Sequence, residues 1–411
     1  MAVCFLAKNL LIVSGGIEAV PGIKHAKKLG YCTIVLDGDE SAPGFKFSDY
    51  QILSSTYDVD ESIKKALYFH QNIKNINGVI SISSDVPNTV AAISKKLKLP
   101  GITMKAANLS SDKLAMKDKF KDDSIPIPRY KEIFSLEQFY EVAKNWSLPL
   151  VLKPIDNRGS RGVLLISKNI NLEWAYKHSL KNSPSGRLMI EEFIKGPQLS
   201  TESIVYKGKC YTIAFSDRNY EFLQRFSPHI IENGGDIPSS LDNKILIKVN
   251  DLIEKSALSL GVDNCVVKGD IVIKNEKPYI IELALRLSGG YFSTTQIPIS
   301  TGVDLIGIAI KIACGEKVDD LDLVIKYRRF LSTRYFFPKP GKLKNITGIK
   351  NLKNNKNVVF SQFFVKKGDF IQEPTAHTSR VGVLIAQGRS RKQASQLVKN
   401  AMESVIFDYE E

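Results

Sequence analysis

The sequence predicts a mixed α/β and α+β protein of several domains that opens on a doubly wound parallel sheet. Three observations carry this. At 411 residues the chain exceeds what one compact core organises, so two to four domains are expected. The first hundred residues alternate short apolar runs with amphipathic stretches, the rhythm of βαβ units. From Leu188 to Ile281 the pattern turns strand-rich, with one helical interruption.

Element by element, a first buried strand is expected at Asn9–Val13, followed by the turn Ser14-Gly15-Gly16. Met1 to Gly16 is apolar enough to suggest a leader. Lys8 and Asn9 split that run, however, and no small-residue cleavage site follows. A helix through Ile23–Leu29 stops at Gly30; then come strand Thr33–Leu36, a polar turn, helix Val59–Phe69, strand Gly78–Ser81 and helix Val86–Leu97. Lys105–Pro128 forms a helical connector ending in the stiff run Ile125-Pro126-Ile127-Pro128. Helix Leu136–Asn145 and strand Leu150–Lys153 open a second α/β region. Helices Lys244–Leu260 and Val303–Cys314 follow, and a tail of strand-like runs ends in helix Ser390–Ser404.

Composition narrows the function. Hydrophobic residues at 43% and charged residues at 24% are ordinary for a soluble globular protein. No apolar run reaches the length a membrane span needs. Cys4, Cys32, Cys210, Cys265 and Cys314 are scattered, with no CxxC spacing, which suits reduced thiols in a cytoplasmic protein. The five histidines form no zinc motif. A net charge of +14 invites a nucleic-acid reading, but the lysines are spread along the chain rather than gathered into a patch. A basic protein handling a polyanionic nucleotide accounts for the charge as well.

The richest stretch is Leu148-Pro149-Leu150-Val151-Leu152-Lys153-Pro154 followed by Asp156-Asn157-Arg158-Gly159-Ser160-Arg161-Gly162-Val163. A strand delivers a lysine, and a glycine-rich loop follows whose N–H groups can cradle phosphate oxygens. Arg158 or Arg161 adds fork-shaped donors. A plain β-hairpin turn is the alternative. Lys113, on the connector, supplies a second lysine, and Met189–Gly196 places Glu191 and Glu192 at a strand end, where solvated carboxylates are the commoner finding. Val266–Ile273 and Pro278–Leu283 form a hairpin around Lys274–Lys277. Paired about residue 276, it sets Asp270 opposite Glu282 on one face. Two facing carboxylates repel unless a cation lies between them, and Mg²⁺ carried on nucleotide phosphates is such a cation. Lys268 and Arg286 offer a salt-bridged alternative. His229, Lys268, Arg286 and the loop Ser288-Gly289-Gly290 are candidates for substrate contact, His229 equally well as an ordinary surface histidine.

In this order these segments resemble the ATP-grasp superfamily, in particular carboxylate–amine ligases such as the L-amino acid ligases, and also the ATP-grasp ligases of purine synthesis. The resemblance implies a Rossmann-like pre-ATP-grasp domain over 1–105 and an ATP-grasp domain over 106–325 with a lid at about 126–190. A C-terminal α+β part would cover 326–411. It implies ATP as nucleotide, bound through Lys113, Lys153, the loop residues Asn157, Gly159, Ser160, Arg161 and Gly162, Glu191, Phe193 and Ile194 at the adenine, and Gln198 or Glu202 at the ribose. It implies Mg²⁺, or Mn²⁺, on Asp270 and Glu282, with Arg286 and Lys153 catalytic. The activity it implies is activation of a carboxylate as an acyl phosphate for attack by an amine, in a homodimer. A purine-pathway ligase and a non-catalytic ATP-binding module are the alternatives. The pattern departs from the family at Ala284, where an asparagine metal ligand is usual, and at Gln198, where an acid is common.

Overall fold

The computed structural model describes residues 8–410, so the leader question and Cys4 lie outside the described residues. The N-terminal sheet is parallel, in the order Tyr50–Leu53, Cys32–Asp37, Asn9–Val13, Gly78–Ser81. Its central strand Asn9–Val13 is buried at every position, as a strand covered by helices on both faces must be. Helices Val20–Lys28, Val59–Asn72 and Pro87–Lys96 supply those covers. The segment expected as a polar turn contains a 3₁₀ turn, Pro43–Phe47, and the edge strand Tyr50–Leu53. That strand buries a single residue, Ile52, so it carries almost no hydrophobic signal.

The connector is two helices, Met104–Ser111 and Lys113–Asp122, broken at Asp112. Asp112 is extended, and its carboxylate accepts from the N–H groups of Leu114 and Ala115. It therefore ends one helix and caps the next, leaving Lys113 at the bend. The lid is an antiparallel sheet ordered Tyr130–Ile133, Leu188–Glu192, Leu150–Pro154, Leu164–Ile166. Helices Leu136–Asn145 and Leu172–Lys181, capped by Ser135 and Asn171, close its core around Phe139, Leu152 and Ile190. The second of these helices has no counterpart in the sequence reading.

The centre of the molecule is one eight-stranded sheet, ordered Lys277–Ala284, Cys265–Lys274, Gln198–Tyr206, Lys209–Asn219, Gly234–Ile237, Phe330–Phe336, Gly382–Gly388, Val358–Phe363. Its last three strands come from beyond residue 326. The boundary expected at 325/326 thus runs through a continuous sheet rather than between two bodies. One hydrophobic cluster crosses the boundary as well, since Leu10, Ile204, Ile310, Leu331 and Ile385 all belong to it. Helix Leu305–Ala313 is buried at eight positions, Lys311 excepted, the mark of a helix enclosed on all sides. Each Ile or Leu fully buried there contributes about 1.5–3 kcal/mol. Helix Asn243–Ser259 covers the sheet behind the Asp270 hairpin, and helix Arg391–Glu403 covers the C-terminal strands. Among the described residues, no helix is long and apolar enough to cross a membrane.

Candidate active site

A cavity of about 670 Å³ lies where the N-terminal sheet, the lid, the central sheet and the C-terminal segment meet, a size suited to small-molecule ligands. One end of it is built by strand pairing within the lid. Lys153 and Glu191 stand on neighbouring strands and form a direct ion pair. Lys117, from the connector, approaches the same carboxylate at 3.4 Å. Burial would raise the Glu191 pKa, but Lys117 and Lys153 outweigh it and hold the group ionised. Lys117 is brought down to about 8, by burial first and by Lys153 as well, against the pull of Glu191. Lys113 reaches Glu282 at 3.1 Å and donates to the Asn157 carbonyl at 2.8 Å. Val151, Phe193, Ile194, Val272 and Ile281 give this end apolar walls, and Gln198 borders it. The Phe193 N–H is taken by the Pro149 carbonyl.

The glycine-rich loop closes over these lysines. Gly159 and Ser160 both sit in left-handed backbone, at φ +62° and +63°. A Cβ at Gly159 would meet nothing within 4 Å, so this glycine serves the turn rather than close packing. The Asn157 side chain braces the loop, accepting from the Arg158 N–H and Arg161 Nε. The Ser160 hydroxyl donates to the Ile230 carbonyl at 2.5 Å, and the His377 N–H donates to the Gly159 carbonyl at 2.9 Å. Gly162 lies away from the cavity wall, pressed between Pro154 and Asn182.

Asp270 and Glu282 are direct cross-strand partners, at the register the sequence predicts. The register slips by one residue nearer the turn, where Ile271 faces Ile280 and Ile273 faces Pro278, so a bulge at Ile281 absorbs the offset. Both carboxylates line the cavity and both stay ionised. Asp270 is held well below the usual carboxylate range: burial opposes this, but Arg218 at 2.7 Å and the touching Lys268 prevail. Glu282 is lowered in the same way by Lys113 and Lys268 against burial. Two ionised oxygen donors with no thiolate or imidazole fit a hard divalent cation that takes its remaining ligands from phosphates and water. Among the described residues no group of three His, Cys, Asp or Glu gathers here, and Ala284, paired across the sheet with Lys268, adds no ligand.

At the far end Arg286 faces Asp85, 3.9 Å away, and Arg158 of the lid loop approaches the same carboxylate at 3.6 Å. The loop 288–290 is fixed from several sides. Ser288 donates its N–H at 3.0 Å, and its hydroxyl, to Glu202; the Gly290 N–H donates to Glu18 at 2.9 Å. A Cβ on Gly290 would meet the Tyr335 hydroxyl at 2.4 Å, and its φ is +63°. Glu202 is fully buried behind this loop rather than in the cavity, so the structure does not bring it to where a ribose contact was expected. Burial pushes its carboxyl up to about 7, against the hydrogen bonds from Ser288. His229 also stands outside the cavity. Its ring packs on His178 and Trp174 of the lid helix, 5.3 Å and 6.3 Å between centroids, and its backbone bridges to Leu164.

Several cavity residues had no sequence signal: Arg218 on the central sheet, Glu232 in the segment just before strand Gly234–Ile237, and His377 and Arg380 in the C-terminal segment. Glu18 and Asp85 did have one. They follow the carboxyl ends of parallel strands Asn9–Val13 and Gly78–Ser81, where open α/β sheets bind ligands. Of the Ser14-Gly15-Gly16 turn, Gly15 packs tightly against Val35 and Gly44 while Gly16 borders the cavity.

Lysines under a glycine loop, an ionised carboxylate pair and an arginine beyond it thus share one cavity, and the segment that builds most of it carries an ATP-grasp domain. Residues 110–290 match the ATP-grasp domain and residues 334–410 the L-amino acid ligase C-terminal domain 2. The chain is 26% identical over 286 residues to the alanine–anticapsin ligase of Bacillus subtilis, covering 64% of this chain but 58% of that longer protein. It shares its fold with the L-amino acid ligase of Bacillus licheniformis, at a TM-score of 0.83 and 18% identity over 98% of this chain and 99% of that one. The phosphoribosylglycinamide synthetase of Anaerococcus prevotii shares it too, at 0.75 and 21%, over 98% and 100%.

Proposed function

We propose that the protein phosphorylates a small-molecule carboxylate with ATP and passes the acyl phosphate to an amine, releasing ADP and phosphate. The observation that carries this is one cavity with Lys113 and Lys153 at one end, the Asp270–Glu282 pair between, and Arg286 with Ser288–Gly290 at the other. A carboxylate is a poor electrophile because its leaving group would be oxide; phosphate is a far better one. The residues' work is then positioning and charge neutralisation. Lys113 and Lys153 bind the nucleotide phosphates under the Asn157–Arg161 loop, and the apolar slot at Phe193 and Ile194 takes the base. Arg286 steadies charge on the carboxylate as it is phosphorylated. Asp270 and Glu282 would hold Mg²⁺, or Mn²⁺, which shields phosphate charge when bound. The closed loop, clamped at Ile230 and His377, keeps water from the reactive acyl group. We place the activity in the cytoplasm, in a homodimer. A screen of amino acids and amines for ADP release, followed by mass analysis of the product, tests the reading. Lys153→Ala and Glu282→Ala should each abolish ADP formation in a folded protein, and near-normal turnover in either would overturn it.

A further inference from the structure

The ligase chemistry needs one carboxylate, yet the cavity offers a second cationic fork that this chemistry does not use. Arg380 follows the short turn His377–Ser379 in the C-terminal segment and lines the cavity wall. Its guanidinium lies 3.7 Å above the Tyr335 ring, which fixes the plane of the fork. Nη2 donates to the Glu232 carbonyl at 2.8 Å, while Nε is buried without a hydrogen-bond partner. A guanidinium carries five N–H donors, so most of this one's capacity is unspent.

Charge points the same way. The Glu232 carboxylate is held by Arg218 at 2.6 Å and 2.7 Å, whereas its nearest approach to Arg380 is 3.8 Å. Asp270 is likewise taken by Arg218 and Lys268. His377 brings no charge of its own, since burial, and then Arg380 itself, holds its imidazole neutral, well below the ordinary pKa, and its Nε2 accepts from the Glu232 N–H. A planar, half-unused fork beside an ion pair already satisfied by another arginine matches a bidentate carboxylate better than an ammonium or a neutral group.

Building on the ligase reading, we propose that Arg380 receives a second substrate carboxylate, one that is not itself activated. It comes either from the α-carboxylate of an amino acid serving as the amine or from an acidic side chain on the activated amino acid. The subsite is completed on loop closure, because the His377 N–H of the same turn holds the Gly159 carbonyl.

The test measures ADP release by the wild type, Arg380→Gln and Arg380→Lys in two arms. In the first, L-alanine is compared with L-alaninamide as the amine, each of the twenty amino acids serving as carboxylate donor. In the second, L-glutamate and L-aspartate are compared with L-glutamine and L-asparagine as donors, with hydroxylamine as the amine. The wild type should favour the acid over the amide by about tenfold or more in one arm, which identifies the source. Arg380→Gln should erase that preference with KM for ATP unchanged, and Arg380→Lys should keep part of it. Should Arg380→Gln not fold, a preference in Arg380→Lys equal to wild type overturns the proposal. No acid preference in either arm, or equal loss for acids and amides in Arg380→Gln, overturns it too. Absence of ADP release from every pair would sink the ligase reading instead. Calorimetry with glutarate then decides the subsite: binding by wild type that Arg380→Gln loses supports it, and no binding by wild type refutes it.

Discussion

Replacing Lys117 by methionine should make this protein more stable, although it removes an ion-pairing residue from beside the site. Lys117 is 1% exposed and does not line the cavity, so its role is confined to the cluster with Glu191 and Lys153. Its folded pKa of about 8 lies below the ordinary 10.5. At about 1.36 kcal/mol per pKa unit, keeping it charged costs the fold about 3 kcal/mol at neutral pH. Methionine keeps the volume and drops the charge, and Glu191 retains its contact with Lys153. The sign follows from proton binding. Between pH 8 and 10.5 the unfolded chain holds a proton that the folded chain has released, so wild-type stability rises through that window. The variant lacks this rise, so its advantage of about 3 kcal/mol is present at pH 7 and vanishes by pH 10.5. Urea unfolding of both proteins at pH 7 and pH 10 measures it. A Lys117→Met protein less stable at pH 7, or one showing the wild-type slope between the two pH values, would refute the reasoning.

Two further expectations concern the groups around the cavity. Glu202, raised to about 7, holds a proton in the folded state that the unfolded chain loses near 4.5, so it favours folding below pH 4.5 and that contribution is lost as pH rises to 7. Glu202→Gln should flatten this decline by about 3 kcal/mol, visible in urea midpoints at pH 5 and pH 8. Ala284→Asn places an amide oxygen two residues along the strand from Glu282, on the same face. The Mg²⁺ concentration giving half-maximal ADP release should hold or fall, and a sharp loss of activity would mean that Ala284 makes room for another group.

The Asp270–Glu282 pair was legible because a hairpin's alternation and its turn fix which residues face each other, and both are local. The bulge at Ile281 was not, since the slip depends on how the hairpin seats against its neighbours. Lys153 was legible for a similar reason: a strand end and glycines at close spacing mark the loop without reference to distant chain, whereas Lys113, 40 residues upstream on the connector, was picked out chiefly by the resemblance. Arg218 lies in an ordinary strand, and only the approach of Asp270 and Glu232, both far off in sequence, gives it a role. His377 and Arg380 sit about 145 residues from the Glu232 segment they meet, a separation that no periodicity encodes. His229 was open between a substrate contact and an ordinary surface histidine; it packs against a lid helix that had not been read from the sequence.

The central sheet ignores the border between the two matched domain families, and this bears on how the chain can be divided. Ending it before Phe330 would strip three strands and leave Gly234–Ile237 as an open edge, its backbone donors and acceptors unpaired along the side that now faces Phe330–Phe336. Such an edge is a template for pairing with another copy, so the ATP-grasp segment on its own should aggregate rather than fold. The two segments should therefore unfold together in a single transition. Evolution can vary the C-terminal segment to change what enters the cavity, but it cannot exchange that segment as a detachable module without rebuilding the middle of the sheet.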